Sequence, residues 1–242
     1  MMNTTPLAAL HNVSKVYQLG DVPVHALDNV SLEIAEGELV VVLGPSGSGK
    51  TTTLNLLGGL DRPTEGRILV AGEEISAYDD DALTDYRRRM VGFVFQFFNL
   101  MPTLTARENV EFALELVESD RRRITQRAEE ILAQVGLAEI ADRFPYQMSG
   151  GQQQRVAVAR AVAKQPRLLL CDEPTGNLDT EAGRNVLETI QSLNREYGTT
   201  VVLVTHNTAI AEMADRVIRM HDGRIAEEHR NPAPKPASAI TW

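Results

Sequence analysis

The sequence contains a single cysteine, Cys171, a single tryptophan and few aromatic residues of any kind, 5% in all. One cysteine excludes an internal disulfide and fits a reducing compartment; Cys171 itself reads as a small apolar residue in a buried strand. No apolar run reaches the roughly 18 residues that a membrane span needs. The longest uncharged stretch, Val91 to Ala106, is interrupted by Gln96, Asn99 and Pro102. Met1 to Leu10 carries no basic residue that could open a secretory leader, so none is expected. Lysine and arginine, 24 together, are outnumbered by 33 Asp and Glu, for a net charge of −9. That balance argues against nucleic acid as the main partner, because neutralising phosphates needs a basic surface. No internal repeat is present. With 242 residues, 43% hydrophobic, the chain suits one large soluble domain with a sizeable core, cytoplasmic by expectation.

What is present begins with Gly44-Pro45-Ser46-Gly47-Ser48-Gly49-Lys50-Thr51, which fits the phosphate-loop pattern G-x-x-x-x-G-K-[ST]. The apolar run Leu39 to Leu43 before it reads as a buried parallel strand. Thr51, Thr52 and the residues to Leu57 read as a helix that stops at Gly58-Gly59. A strand, a glycine-rich turn and a helix start form an anion trap, in which backbone N–H groups and the helix dipole converge on phosphate. Lys50 would reach the outer phosphates and the Thr51 hydroxyl would sit on Mg²⁺.

Around this loop the chain reads as an α/β protein. His11 to Leu19 and Ala26 to Ile34 suggest an antiparallel β subdomain beside a nucleotide-binding core. Asp79 to Asp81 and Arg87 to Arg89 bracket a helix with charges that suit its dipole. From about 97 to 160 the period is helical. Thr105 and Glu108 form a capping box before a stripe of Val110, Ala113, Leu114 and Val117, and Gly136 ends a second helix. This all-helical stretch interrupts a strand–helix alternation that resumes at Leu168, and so reads as an inserted subdomain. Arg216 to Met220 and Arg224 to Glu227 read as a hairpin turning at Asp222-Gly223. The domain is expected to span residues 1–230, with a disordered Pro/Ala-rich tail from 231 to 242.

Two more groups finish the candidate site. The apolar strand Leu168 to Cys171 ends in Asp172-Glu173, placing Asp172 to hold Mg²⁺ and Glu173 to act as general base on a water attacking the γ-phosphate. Ser149-Gly150-Gly151-Gln152 is another capping box, and its glycines expose helix-start N–H groups to an anion. One nucleotide has one triphosphate, already cradled by Gly44 to Thr51. The second motif is therefore either an ordinary capped helix or a surface facing the nucleotide of a second chain.

Met148-Ser149-Gly150-Gly151-Gln152-Gln153-Gln154-Arg155 resembles the LSGGQ signature of ATP-binding cassette (ABC) proteins, with Met148 in place of leucine. The resemblance runs from Tyr17 to about Glu228 with all motifs in order, and implies a P-loop NTPase (RecA-like) core. It implies that Tyr17 stacks on adenine and that Gln96 touches Mg²⁺ and the attacking water. It further implies that Asp179, in Leu178-Asp179, crosses a dimer interface and that His206 senses the γ-phosphate. Without the family, Tyr17, Gln96 and His206 carry little signal; His11, His25, His221 and His229 match no motif.

The resemblance implies a homodimer that encloses ATP and Mg²⁺ and drives a permease carried on a separate polypeptide. Phe97, Phe98, Leu100 and Met101, directly after Gln96, are either core of the helical subdomain or the groove that receives that permease. Gly59-Leu60-Asp61-Arg62-Pro63 and Pro174 to Asp179 look most like the macrolide-export and lipoprotein-release class (MacB/LolD-like). That class implies a peripheral protein on the cytoplasmic face of the inner membrane, with a periplasmic apparatus across it. The alternative is the ATPase of a non-transporting regulator of the cell-division type. A soluble cassette acting on ribosomes or DNA fits poorly with an acidic single cassette.

Overall fold

The computed structural model describes residues 6–241; residues 1–5, and Trp242 at the end of the proline-rich segment, lie outside the described residues. The chain opens with a long antiparallel hairpin, β1 (Ala8–Leu19) and β2 (Val22–Ile34), and passes through β3 (Leu39–Leu43) into α1 (Lys50–Leu57). β4 (Glu65–Val70) and β5 (Glu73–Glu74) return to the hairpin, and α2 (Asp80–Met90) leads into β6 (Val91–Val94). Three helices follow: α3 (Ala106–Leu114), α4 (Arg121–Gln134) and α5 (Gly150–Val162). Then come β7 (Leu168–Asp172), α6 (Thr180–Tyr197), β8 (Thr200–Thr205), β9 (Arg216–His221) and β10 (Arg224–Arg230).

The strands form two sheets, ordered β2-β1-β4-β5 and β10-β9-β3-β8-β7-β6. Among the described residues of the larger sheet, only β10 runs antiparallel to its neighbour. Every residue of β3 and β8 is buried, the expected state for a parallel strand covered on both faces. One face packs on Leu54 and Leu57 of α1 and on Leu10, Leu27 and Ile34 of the antiparallel sheet. The other face packs on Val186, Leu187 and Ile190 of α6 and Val158 of α5. The strand ends that carry β3, β6, β7 and β8 into their following loops therefore open on one common edge, where ligands bind in open parallel sheets.

The helices α3, α4 and α5 enclose their own apolar cluster, including Val110, Leu114, Ile124, Leu132 and Val156. α5 belongs to both cores, presenting Val156 and Ala159 to the helical cluster and Val158 and Ala161 to the sheet. Its chain direction thus ties the inserted helices to the strand ends. The caps follow the sequence: Thr105 with Glu108, and Ser149 with Gln152, form reciprocal capping boxes, and Gly136 adopts φ 70°. The stripe of α3 stops at Leu114; Val117 lies beyond the helix end and is exposed.

The structure corrects the expectation for the tail. Among its described residues, Ala237 and Ile240 are 1% and 0% exposed and join the cluster under α6. Gln191 of α6 holds the segment with both ends of its amide, donating to the Lys235 carbonyl and accepting from the Ala237 N–H. Asn231 donates to the Glu212 carbonyl, and Arg184 to that of Ile240. Prolines favour an extended strap here, and its two apolar residues have a groove to fill. Among the described residues no helix is long and apolar enough to cross a membrane.

Candidate functional site

At the end of β3 the loop turns through Gly47 and Gly49, at φ 79° and 99°, conformations that L side chains resist. A side chain on Gly44 would overlap the Ser48 hydroxyl and the Met220 carbonyl, so this glycine lets the loop close on itself. α2, α3, α5 and α6 each begin under a side-chain cap, whereas α1 begins at Gly49 with none. Its first N–H groups face the loop. The Ser48 hydroxyl is buried with no hydrogen-bond partner among the described residues, and Lys50 Nζ donates to the carbonyls of Gly44 and Pro45 at 2.8 and 3.0 Å. Uncapped N–H groups, a confined cation and an orphaned hydroxyl fit a polyphosphate chain.

A cleft of ≈ 540 Å³ joins this loop to the other strand ends, and its lining includes Ser46, Gly47, Gly49, Lys50, Thr51, Thr52, Gln96, Asp172, Glu173 and His206. Thr51 Oγ1 donates to Asp172 Oδ1 at 3.2 Å. Burial, aided by the neighbouring Glu173 carboxylate, holds the Asp172 carboxyl above the usual aspartate range, against the pull of Thr51 and Lys50. Two adjacent hard oxygens suit Mg²⁺, which takes one or two protein ligands and completes its octahedron with phosphate and water. Among the described residues no group of three or more His, Cys, Asp or Glu side chains could hold a metal unaided.

Glu173 follows β7 in the left-handed region at φ 47°, where a residue with a Cβ is strained by about 1–2 kcal/mol. Its N–H donates to the Val204 carbonyl, and its carboxylate accepts from Thr205 Oγ1 at 3.3 Å. His206 Nδ1 lies 3.0 Å from Glu173 Oε1. Glu173 and His206 are thus one hydrogen-bonded pair, aimed into the cleft by adjacent parallel strands. Gln96 is held by Asn177, whose amide donates to the Gln96 carbonyl at 3.0 Å.

Ser149, Gly151, Gln152 and Asp179 are brought together elsewhere, in a separate depression with Arg155 and Asn185. Among the described residues, that depression shares none with the phosphate-loop cleft. Asp179 caps α6 by accepting from the Ala182 N–H, and a side chain on Gly151 would press into Ala182. Gln154, one turn into α5, is fully buried and donates to the Phe95 and Pro174 carbonyls. Arg160 donates to the carbonyls of Phe98 and Asn99, both at positive φ. The helix that begins at Ser149 therefore grips the loops that carry Gln96 and Glu173.

Tyr17 does not line the cleft. It stands at the rim, paired across the sheet with Val24, which does. Phe97 is 72% exposed, so it is surface and not core of the helical subdomain. The sequence reading missed His25, which lines the cleft because β2 carries it beside the loop, as well as Asn177 and Gln154. His25 is placed by strand pairing, whereas Asn177 and Gln154 stand within the stretches Pro174 to Asp179 and Met148 to Arg155 and take their roles from the packing of loops.

The sequence model of the family described as ABC transporter matches residues 27–176. The chain is 47% identical to the lipoprotein-releasing system ATP-binding protein LolD of Anaeromyxobacter dehalogenans, covering 93% of this chain and 94% of LolD. It is 45% identical to the macrolide export ATP-binding/permease protein MacB of Rhodospirillum rubrum, covering 95% of this chain but 35% of that longer protein. Among solved structures, the ATP-binding cassette MJ0796 of Methanocaldococcus jannaschii, in a dimeric post-hydrolysis state bound to ADP and Pi, matches with a TM-score of 0.86 at 45% identity, covering 92% and 98% of the two chains. The chain belongs to the ABC transporter family and is one of its ATP-binding subunits, of the type found in MacB and LolD.

Proposed function

We propose that two copies of this chain enclose ATP head to tail, each nucleotide lying between the phosphate loop of one copy and Ser149 to Gln152 of the other. The observation that carries this reading is the separation of two built half-sites on a single chain, with no residue in common. The dimeric state of the MJ0796 cassette supports the same arrangement. Gly44 to Thr52 cradle the triphosphate and Tyr17 receives the adenine. Thr51 and Asp172, with Gln96, would hold Mg²⁺, which would neutralise charge developing on the phosphate oxygens. Glu173 takes the proton of the attacking water, His206 contacts the γ-phosphate while hydrogen-bonded to Glu173, and Asp179 crosses the interface.

Loss of the γ-phosphate removes contacts to both copies and loosens the dimer. This cycle drives a separate permease, docked where Phe97 is exposed next to Gln96. The reading places the chain peripherally on the cytoplasmic face of the inner membrane, in keeping with its membership of the ABC transporter family. Lipoprotein release by the LolD relative and macrolide export by the MacB relative support a lipoprotein or a drug as cargo; the reading extends to lipid or peptide cargo and to a periplasmic adaptor. The test is Glu173→Gln. Mg²⁺-dependent turnover should fall by about 10²–10⁴, and ATP should convert the protein to a dimer in size-exclusion chromatography. Near-normal turnover would overturn the assignment of the base. Ser149→Ala with Gly151→Asp at no loss of rate would overturn the shared site.

A further inference from the structure

We infer that Asp61 and Lys15 are positioning residues for the nucleotide base, locking the ring of Tyr17 so that only one of its faces is offered to adenine. Tyr17 Oη donates to Asp61 Oδ2 at 2.7 Å, and Lys15 Nζ donates to the other carboxylate oxygen at 2.6 Å. Lys15 also donates to the Arg62 carbonyl at 2.8 Å, and its ammonium lies 4.8 Å from the centre of the Tyr17 ring. One cation therefore covers one face of the ring, an attractive cation–π arrangement that excludes a base from that side. The lysine and aspartate side chains are 13% and 27% exposed, so the lock is screened from water. Burial works to raise the Asp61 carboxyl, but the Lys15 and Tyr17 donors outweigh it and keep the group ionised as their acceptor.

The lock matters because of where Tyr17 stands. It lies two residues from Leu19, at the end of a hairpin whose Leu19 and Val22 are 69% and 62% exposed. An untethered ring at such a site samples several rotamers and loses that freedom on binding; a fixed ring has already lost it. Asp61 follows the C-terminus of α1, whose first turn carries Thr52, and the Thr52 hydroxyl also reaches the Tyr17 oxygen. The base platform is thus tied to both ends of the helix that starts at the phosphate loop, which sets the spacing between base and triphosphate. The Val16 N–H donates to Thr64 Oγ1 and the Thr64 N–H to the Ser14 carbonyl, pinning β1 to the same turn.

This inference rests on reading Tyr17 as the base platform. Its test is calorimetric titration of the full chain with ATP and with inorganic tripolyphosphate, which has no base. It is run on the wild type, Asp61→Ala, Lys15→Met, Tyr17→Ala and the double variant Asp61→Ala/Tyr17→Ala. Asp61→Ala and Lys15→Met should each weaken ATP binding by about three- to tenfold, leave tripolyphosphate unchanged and raise KM without lowering kcat. Asp61→Ala should add nothing in the Tyr17→Ala background. Lys15→Met carries the test if Asp61→Ala fails to fold. If Tyr17→Ala weakens ATP but neither lock variant does, or if they weaken tripolyphosphate equally, the lock is wrong while the platform stands. If Tyr17→Ala leaves ATP binding intact, the platform reading itself fails and the lock with it.

Discussion

Replacing Gln154 by leucine tests how far the helix behind Ser149 controls the loops that carry Gln96 and Glu173. Gln154 is 0% exposed, and its amide donates to the Phe95 carbonyl at 3.1 Å and the Pro174 carbonyl at 2.8 Å. Leucine removes both bonds and leaves two carbonyls short of a donor, at about 1–3 kcal/mol each. It also removes Gln154 Oε1, which is buried with no partner among the described residues, and that relief offsets roughly one of the two losses. The net destabilisation is about 1–3 kcal/mol. Glutamate in the same place donates nothing when ionised and buries an unpaired charge, so at neutral pH it should lose about 3–5 kcal/mol. Burial raises the folded pKa of such a group above the unfolded value of about 4.3. The excess penalty is therefore absent below that value and grows as pH rises through the folded pKa. The two carbonyls flank Gln96 and Glu173 in the chain, so kcat should fall at least as clearly as stability, with a smaller change in KM. Urea unfolding at pH 7 and pH 5, with steady-state ATPase on the same samples, reads both. A leucine variant within about 0.5 kcal/mol of wild type, with unchanged kcat, would refute the reasoning.

The Asp172 carboxyl is held above its ordinary range, so its ionised form costs the fold stability at neutral pH. Asp172→Asn should stabilise the nucleotide-free protein at pH 7, with the gain disappearing as pH falls to about 3.9; thermal unfolding in EDTA across that range checks it. Ile240→Ala should cost about 2–5 kcal/mol in denaturant unfolding, whereas an unchanged midpoint would mean that the strap is not docked. Gly58→Ala would drive a methyl group into the Phe93 ring and should destabilise by about 1–3 kcal/mol, seen as a lowered thermal midpoint.

The parts of the site that were legible in the sequence are those where backbone geometry demands a residue type. Gly47 and Gly49 must be glycines because of their positive φ, and the uncapped start of α1 follows from them. Parallel strands buried on both faces leave continuous apolar runs, so Leu39 to Leu43 and Leu168 to Cys171 announced where the candidate phosphate-binding and acidic residues would stand. The strap around Ile240 was illegible because composition describes the segment and not the groove, which α6 supplies some 50 residues away. His25 depends on a cross-strand register, Val16 opposite His25, that bulges in β1 shift and no local pattern encodes. Gln154 sits in a run of three glutamines that look alike in sequence; only the folding of the loops after β6 and β7 over α5 buries this one.

Under the proposed sharing of each nucleotide, the two separate depressions make one copy of this chain a lock and a key that do not fit each other. Below the concentration at which copies pair, turnover per copy should fall in proportion to dilution, and an inactive copy should poison an active one. Tethering by a two-fold permease would lift this constraint, because neighbours held side by side meet at an effective concentration of the order of millimolar. Weak self-affinity would then be an advantage: subunits that barely associated in free solution would consume fuel only where there is a transporter to move.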